Sequence, residues 1–190
     1  MVCPACGALQ PPDAAADHFA VLGVARRYQV DVADLEARYK DLSRKVHPDR
    51  FAKADPRARR ASLQRTVQLN EAWRTLKDPV RRAEYLLALG GMKVAGEEDR
   101  AVPPALLMET LERREELAEA RAEGDHAKVR RLGEATRARV AETMRAIAAG
   151  FEGGHLDEVA RALVALRYER RFLDEVAVHE ESREEAAHGA

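Results

Sequence analysis

Arg44-Lys45-Val46-His47-Pro48-Asp49-Arg50-Phe51 places a His-Pro-Asp tripeptide after a basic amphipathic segment and ahead of a second long helical one. Proline lacks an amide donor, fixes φ, and pushes the residue before it out of the helical region. His47 and Pro48 therefore stop the preceding helix. Asp49 is expected to turn the chain by accepting bonds from nearby backbone N–H groups. The predicted product is a short exposed loop carrying an imidazole and a carboxylate beside Lys and Arg. Nothing around it would build a catalytic pocket.

Upstream of the loop, Asp17 caps one or two helical turns bearing Phe19 and Leu22, closed by Gly23. Asp31 caps a second helix with apolar Leu35, Tyr39, Leu42 and Val46, a +4, +3, +4 spacing that no strand produces. Arg38, Lys40, Arg44 and Lys45 take its other faces, with Lys40 and Arg44 one turn apart. Such a charged face is most simply a solvated one; ending in the loop, it gains the character of a docking surface. Downstream, Asp55-Pro56 opens a third helix, Arg57 to Lys77. Its inward set is Leu63, Thr66 or Val67, Leu69 or Asn70, Trp73 and Leu76. Asp78-Pro79 ends it and starts a fourth, Val80 to Leu89, stopped by Gly90-Gly91. Residues 17–91 are thus expected to form a compact four-helix unit that requires no cofactor.

Residues 92–102 read as a hinge and residues 103–179 as a second domain. Pro103-Pro104 introduces a helix on which Leu107, Leu111, Arg114, Ala118 and Ala122 share one side at about 100° per residue, flanked by Leu106 and Leu117. Met108, Glu112, Glu115 and Glu119 form the adjacent row. A thioether heading a carboxylate row suits a partner-binding face, because methionine adapts to irregular surfaces; the alternative is a merely solvated row. Gly124-Asp125 breaks this helix. The next runs through Val129, Leu132, Thr136, Val140, Met144 or Thr143, Ile147 and Phe151 to Gly153-Gly154. The last, Leu156 to His179, is expected to bury Val159, Leu163, Leu166, Leu173 and Ala177. That leaves Tyr168 and Phe172 off the stripe as a candidate binding patch. Short breaks make these three helices an antiparallel bundle, and residues 180–190 a frayed tail. The expected class is all-α throughout.

Of the 190 residues, 46% are hydrophobic and 34% charged, with a formal net charge of −1. That balance gives no bulk electrostatic case for nucleic acid, and the basic residues lack interleaved aromatics. No apolar run approaches membrane-spanning length, and the N-terminus lacks the pattern of a secretory signal. Both cysteines sit in Cys3-Pro4-Ala5-Cys6-Gly7. They cannot staple the fold, so a reducing cytoplasm is expected; the sequence leaves the oligomeric state open, with a monomer the favoured reading. The pair looks like half a zinc knuckle, whereas a closed structural zinc site takes four ligands. Three readings stay open: a vestigial or weakly metal-binding tail, zinc shared with a partner or second copy, and a redox dithiol. Residues 9–16, with Pro11-Pro12, read as a linker.

Phe19 to Gly23, the basic helix, His47-Pro48-Asp49 and Asn70-Glu71-Ala72-Trp73 together resemble a J-domain, the module that stimulates ATP hydrolysis by DnaK-type chaperones. Tyr28-Gln29-Val30-Asp31, His47-Pro48-Asp49-Arg50-Phe51 and Arg82-Ala83-Glu84-Tyr85-Leu86-Leu87 resemble more closely the HscB family, J-protein co-chaperones of iron–sulfur cluster assembly. The resemblance implies that His47, Pro48, Asp49, Lys40, Arg44 and Lys45 meet an HscA/DnaK-type chaperone. It also implies that the bundle binds an IscU-type scaffold through Leu107, Met108, Leu111, Glu112, Glu115 and Glu119, with Tyr168 or Phe172 as the aromatic contact. The chain would then be an adaptor rather than an enzyme. A single Cys-x-x-Cys departs from the bacterial form, which lacks it, and from eukaryotic relatives, which carry two; zinc at Cys3 and Cys6 therefore does not follow from the resemblance. A J-protein for a different client, or a zinc or thiol protein acting through Cys3 and Cys6, are the other classes.

Overall fold

The computed structural model describes residues 9–13, 15–92 and 102–188, with side chains through His179. Seven α-helices and one turn of 3-10 helix are present among them: α1 (His18–Leu22), α2 (Val32–Val46), the 3-10 turn (Pro48–Phe51), α3 (Pro56–Lys77), α4 (Pro79–Leu89), α5 (Pro104–Ala122), α6 (His126–Gly153) and α7 (Leu156–His188). The chain divides into two compact units, Met1–Leu89 and Gly90–Ala190. Among the described residues no helix is long and apolar enough to cross a membrane. Cys3, Cys6 and most of the expected hinge (93–101) lie outside the described residues.

In the first unit each helix starts where an aspartate can accept its free N–H groups. Asp17 accepts from Ala20, Asp31 from Ala33 and Asp34, Asp55 from Arg57 and Ala58, and Asp78 from Val80 and Arg81. Burial opposes ionisation of Asp17, but the Ala20 N–H and the Arg26 guanidinium outweigh it and hold its carboxyl below the usual range. Phe19, Leu22, Leu35, Val46, Leu69 and Leu76 are fully buried in one core, each contributing about 1.5–3 kcal/mol of transfer free energy. Tyr39 stacks on Trp73 and donates to Asn70 Oδ1 at 2.9 Å, binding α2 to α3. Arg82 is buried, reaches back to the Leu76 carbonyl at 2.5 Å and lies over the Tyr28 ring.

Two expectations for this unit change. Leu63 and Val67 are exposed, because the inward row of α3 runs Ser62, Thr66, Leu69, Trp73, Leu76, one residue or about 100° away. Nor are residues 9–13 a free linker. Leu9 is buried, and Arg65 donates to the carbonyls of Gln10 (3.1 Å) and Pro11 (2.7 Å), while Gln68 donates to that of Asp13 (3.2 Å). A diproline segment lacks amide donors but presents carbonyls, and two α3 side chains take them.

The second unit is a three-helix bundle. Glu109 with Arg139, Arg113 with Thr136, and Glu116 with Lys128 pair α5 and α6 in opposite directions. Arg139 and Thr143 with Glu169, and Gly150 with Val159, do the same for α6 and α7. Leu117, Ala120, Val129, Phe172 and Val176 form one part of its core. Here too the expected stripe shifts: Phe172 and Val176 are buried, Leu173 is half-buried and Ala177 exposed. The buried row steps through Leu166, Glu169, Phe172 and Val176, so a charged residue takes a core position and the row falls one residue before the expected Leu173 and Ala177. The expected frayed tail is also helical as far as His188; no Gly or Pro interrupts the chain before Gly189.

Helices α6 and α7 approach closely at Gly150, where an added Cβ would stand 2.6 Å from Val159 Cγ2. Gly150→Ala gains about 1 kcal/mol of helix propensity but forces overpacking that costs about 1–3 kcal/mol. A net fall in the thermal midpoint is expected by scanning calorimetry; a raised midpoint would mean that α7 yields freely.

Candidate interaction sites

The first site is built by the stop of α2. His47 leaves the helical region at φ −55°, ψ 131° and becomes the cap of the 3-10 turn. Its Nδ1 accepts the Asp49 N–H at 3.3 Å. The expected roles are therefore exchanged: the imidazole, not the Asp49 carboxylate, makes the turn. With Pro48 at the first position of the turn, the Asp49 amide comes within reach of the cap side chain. The Asp49 carboxylate is left 90% exposed, 3.5 Å from His47 Nδ1. Phe51 anchors the turn by packing against the unit's core, and Ser62 Oγ donates to the buried Val46 carbonyl at 2.6 Å. The result is an exposed imidazole and carboxylate on a short, hydrogen-bonded corner.

The helix leading to this corner is less basic than its cations suggest. Lys40 pairs with Glu36 at 2.6 Å, Lys45 with Asp41 at 2.6 Å, and Arg44 with Asp41 at 3.8 Å. The hydrogen bond from Lys45 holds the Asp41 carboxyl below its ordinary range. By contrast Lys53, Arg57, Arg59 and Arg60, just past the turn, are exposed and have no carboxylate within ion-pair distance among the described residues. Sequence reasoning passed over these four. Their signal was the run of cations from Arg44 to Arg60 opposed only by Asp49 and Asp55.

The second site lies on α5. Thr110, Leu117 and Ala120 face the bundle, with Leu106 and Arg113 half-buried beside them. Leu107 (41%), Met108 (59%) and Leu111 (54%) are exposed, and so are Glu112, Glu115 and Glu119. The apolar row and the acidic row thus share one free face. Burying Arg113 lowers its pKa, yet its guanidinium is held 4.5 Å over the Phe172 ring and donates to Thr136. Arg139 bonds Glu109 on α5 and, at 3.3 Å, the buried Glu169 on α7. The hydrogen bond from Arg139 holds the Glu109 carboxyl below its ordinary range.

The two aromatic candidates separate. Phe172 is 1% exposed and belongs to the core, so it is no surface contact. Tyr168 is half-buried and borders, with Leu106 and Thr110, a cavity of about 10 Å³. That volume holds about one water, too little for a small-molecule ligand. Among the described residues no three His, Cys, Asp or Glu side chains gather where they could hold a metal ion.

A His-Pro-Asp corner between antiparallel helices, in a chain that also carries a three-helix bundle with one apolar–acidic face, defines a J-domain protein. Residues 17–85 match the DnaJ domain, and residues 102–177 match the HSCB C-terminal oligomerisation domain. The crystal structure of human co-chaperone protein HscB superposes with a TM-score of 0.84 at 30% identity, covering 94% of this chain and 89% of that one. Chaperone HscB from Vibrio cholerae gives 0.77 at 29% identity, covering 88% and 99%. The Co-chaperone protein HscB homolog of Ralstonia nicotianae is 45% identical over 108 residues, which are 57% of this chain and 61% of that protein. The chain thus matches less than two thirds of that relative's length. The chain belongs to the HscB co-chaperone family.

Core and surface aromatics answer differently to truncation. Phe172→Ala should cost about 3–5 kcal/mol of bundle stability, because it empties a core position and takes the ring from under Arg113. Tyr168→Ala should cost clearly less in the same urea titration. Equal losses would place Tyr168 in the core as well.

Proposed function

We propose that this protein is a co-chaperone adaptor that stimulates the ATPase of an HscA/DnaK-type chaperone and delivers an IscU-type scaffold to it during iron–sulfur cluster maturation. The observation that carries this reading is the exposed Leu107, Met108 and Leu111 row beside Glu112, Glu115 and Glu119 in a protein that also holds a J-domain. Exposed large side chains in a contiguous row mark an interaction surface. The carboxylates next to them select a partner with complementary cations.

At the other site His47 and Asp49 make short-range polar contacts to the chaperone. Lys40, Arg44 and Lys45 exchange their intrahelical carboxylate partners for the chaperone's, a nearly balanced exchange for exposed pairs. The unpaired Lys53, Arg57, Arg59 and Arg60 supply the longer-range attraction, and the encounter slows as salt rises. Stimulation is a population shift in the chaperone, which requires that the J-domain bind one of its states more tightly than the other. The adaptor itself makes and breaks no covalent bond, and the work is done in the cytoplasm.

His47→Gln should abolish stimulation of the chaperone's ATPase while the circular dichroism of the protein is preserved; undiminished stimulation would remove His47 from the role. Truncating Leu107, Met108 and Leu111 together to Ala should weaken scaffold binding while leaving basal stimulation intact. If two of the three are buried in the complex, at about 1.5 kcal/mol or more each, the loss measured by calorimetry is about a hundredfold or greater. An unaltered affinity would assign the scaffold to another surface.

A further inference from the structure

Helix α3 turns two large apolar side chains to solvent that neither site uses. Leu63 and Val67 are 57% and 69% exposed, while the same helix buries Ala61, Leu69, Ala72 and Leu76 in its own unit. At about 100° per residue, Leu63 and Val67 share an arc of about 100° with Arg59 and Arg60. Both arginines are exposed and have no carboxylate within ion-pair distance among the described residues. The next charges along the helix, Glu71 and Arg74, meet each other at 3.6 Å. The row is thus two free cations followed by two free aliphatic side chains.

We propose that this α3 row docks the α5 face of a second copy of the same chain, with the two helices antiparallel. Charge and order along the helices select that occupant. From N- to C-terminus, α3 reads cations and then apolar residues, whereas α5 reads Leu107, Met108 and Leu111 and then Glu112, Glu115 and Glu119. Laid antiparallel, the two put apolar on apolar and arginine on glutamate. Laid parallel, they would set Arg59 and Arg60 against Leu107 and Met108, desolvating both cations without partners. The spacing agrees: at about 1.5 Å per residue, the centres of the apolar and charged groups lie about 8 Å apart on α3 and about 10 Å apart on α5. Glu112, Glu115 and Glu119 have no cation within ion-pair distance among the described residues, so both sets of charges are available. Arg114, at the edge of the α5 face, is already tied to Glu175. The contact joins two different surfaces, each copy offering one of each, and is therefore heterologous. A single helix pair is also smaller than the interface of a stable complex, so it forms and breaks readily. While formed, it covers the α5 face and competes with any other partner for it. The inference uses the exposure of that face and not its scaffold assignment, and its test involves no scaffold.

Sedimentation equilibrium of the full chain tests this. At low salt, the weight-average mass should rise above that of the monomer as the protein is taken from about 10 to about 500 µM, the range suited to a small, transient interface. It should fall back at high salt, where exposed charges are screened. Arg59→Glu with Arg60→Glu should hold the protein at the monomer mass throughout, and so should Glu115→Arg with Glu119→Arg. All four residues are exposed, and circular dichroism confirms that both variants fold. Mixed in equal amounts, the two variants should associate again, because each reversed row then faces its opposite. Leu63→Ser with Val67→Ser should weaken association at least tenfold. A monomer at every concentration would overturn the proposal, by leaving the α3 row to its own chain or to a different protein. Association that survives the charge reversals would overturn it too, as would a mixture that stays monomeric.

Discussion

The corner at Pro48 is the constraint on which the first unit depends. A proline that cannot continue α2 obliges His47 out of the helix and leaves the last carbonyls of α2 without helical partners. One of them, at Val46, is buried and would be costly if unmet; Ser62 on α3 meets it. The same bond brings α3 back alongside α2, so that Tyr39 can stack on Trp73 and Leu35, Leu69 and Leu76 close one core. Once the imidazole has taken the Asp49 amide, the Asp49 carboxylate has no internal duty. The exposed polar tip is what remains once the Asp49 amide and the Val46 carbonyl have found partners inside the unit.

The bundle depends on a different device. Glu169 sits at a core position and is tolerable there only because Arg139 and Thr143 reach it. Glu169 is buried but Arg139 is 41% exposed, and a pair so placed adds little net stability. Arg139 also meets Glu109, a contact that accompanies the rotation of α5 in which Thr110, Leu117 and Ala120 are buried and Leu107, Met108 and Leu111 stay outside. Arg113 over Phe172 belongs to the same rotation, from the next turn. An interaction face made of large apolar side chains needs its helix held in one rotation, because a free helix would turn that face inward.

The electrostatics of the two faces also differ in origin. The acidic row of α5 is a simple consequence of spacing, with Glu112, Glu115 and Glu119 exposed side by side. The cations of α2 are instead neutralised locally by Glu36 and Asp41, which one turn of helix places beneath them. Positive charge without an ion pair among the described residues lies beyond the corner, at Lys53, Arg57, Arg59 and Arg60, with Asp55 alone among them to oppose it.

Local rules determined much of this protein from the sequence alone. The all-α class, helix starts at Asp17, Asp31, Asp55 and Asp78 and the stop at Pro48 follow from capping, proline and periodicity, which act within one turn of chain; the family resemblance rests instead on particular motif residues such as His47-Pro48-Asp49 and Asn70-Glu71-Ala72-Trp73. The α5 face was legible for the same reason, since residues three and four apart must share a side. Tertiary structure alone decided the rest. Whether Tyr168 or Phe172 faces solvent goes with Glu169 lying inside, where it meets a residue thirty positions away. Whether residues 9–13 hang free turns on Arg65 and Gln68 finding their carbonyls from more than fifty positions away. And which of His47 and Asp49 makes the turn depends on where a fixed Pro48 leaves one amide. Those outcomes rest on groups that only a folded chain brings within hydrogen-bond distance, and no periodicity encodes them.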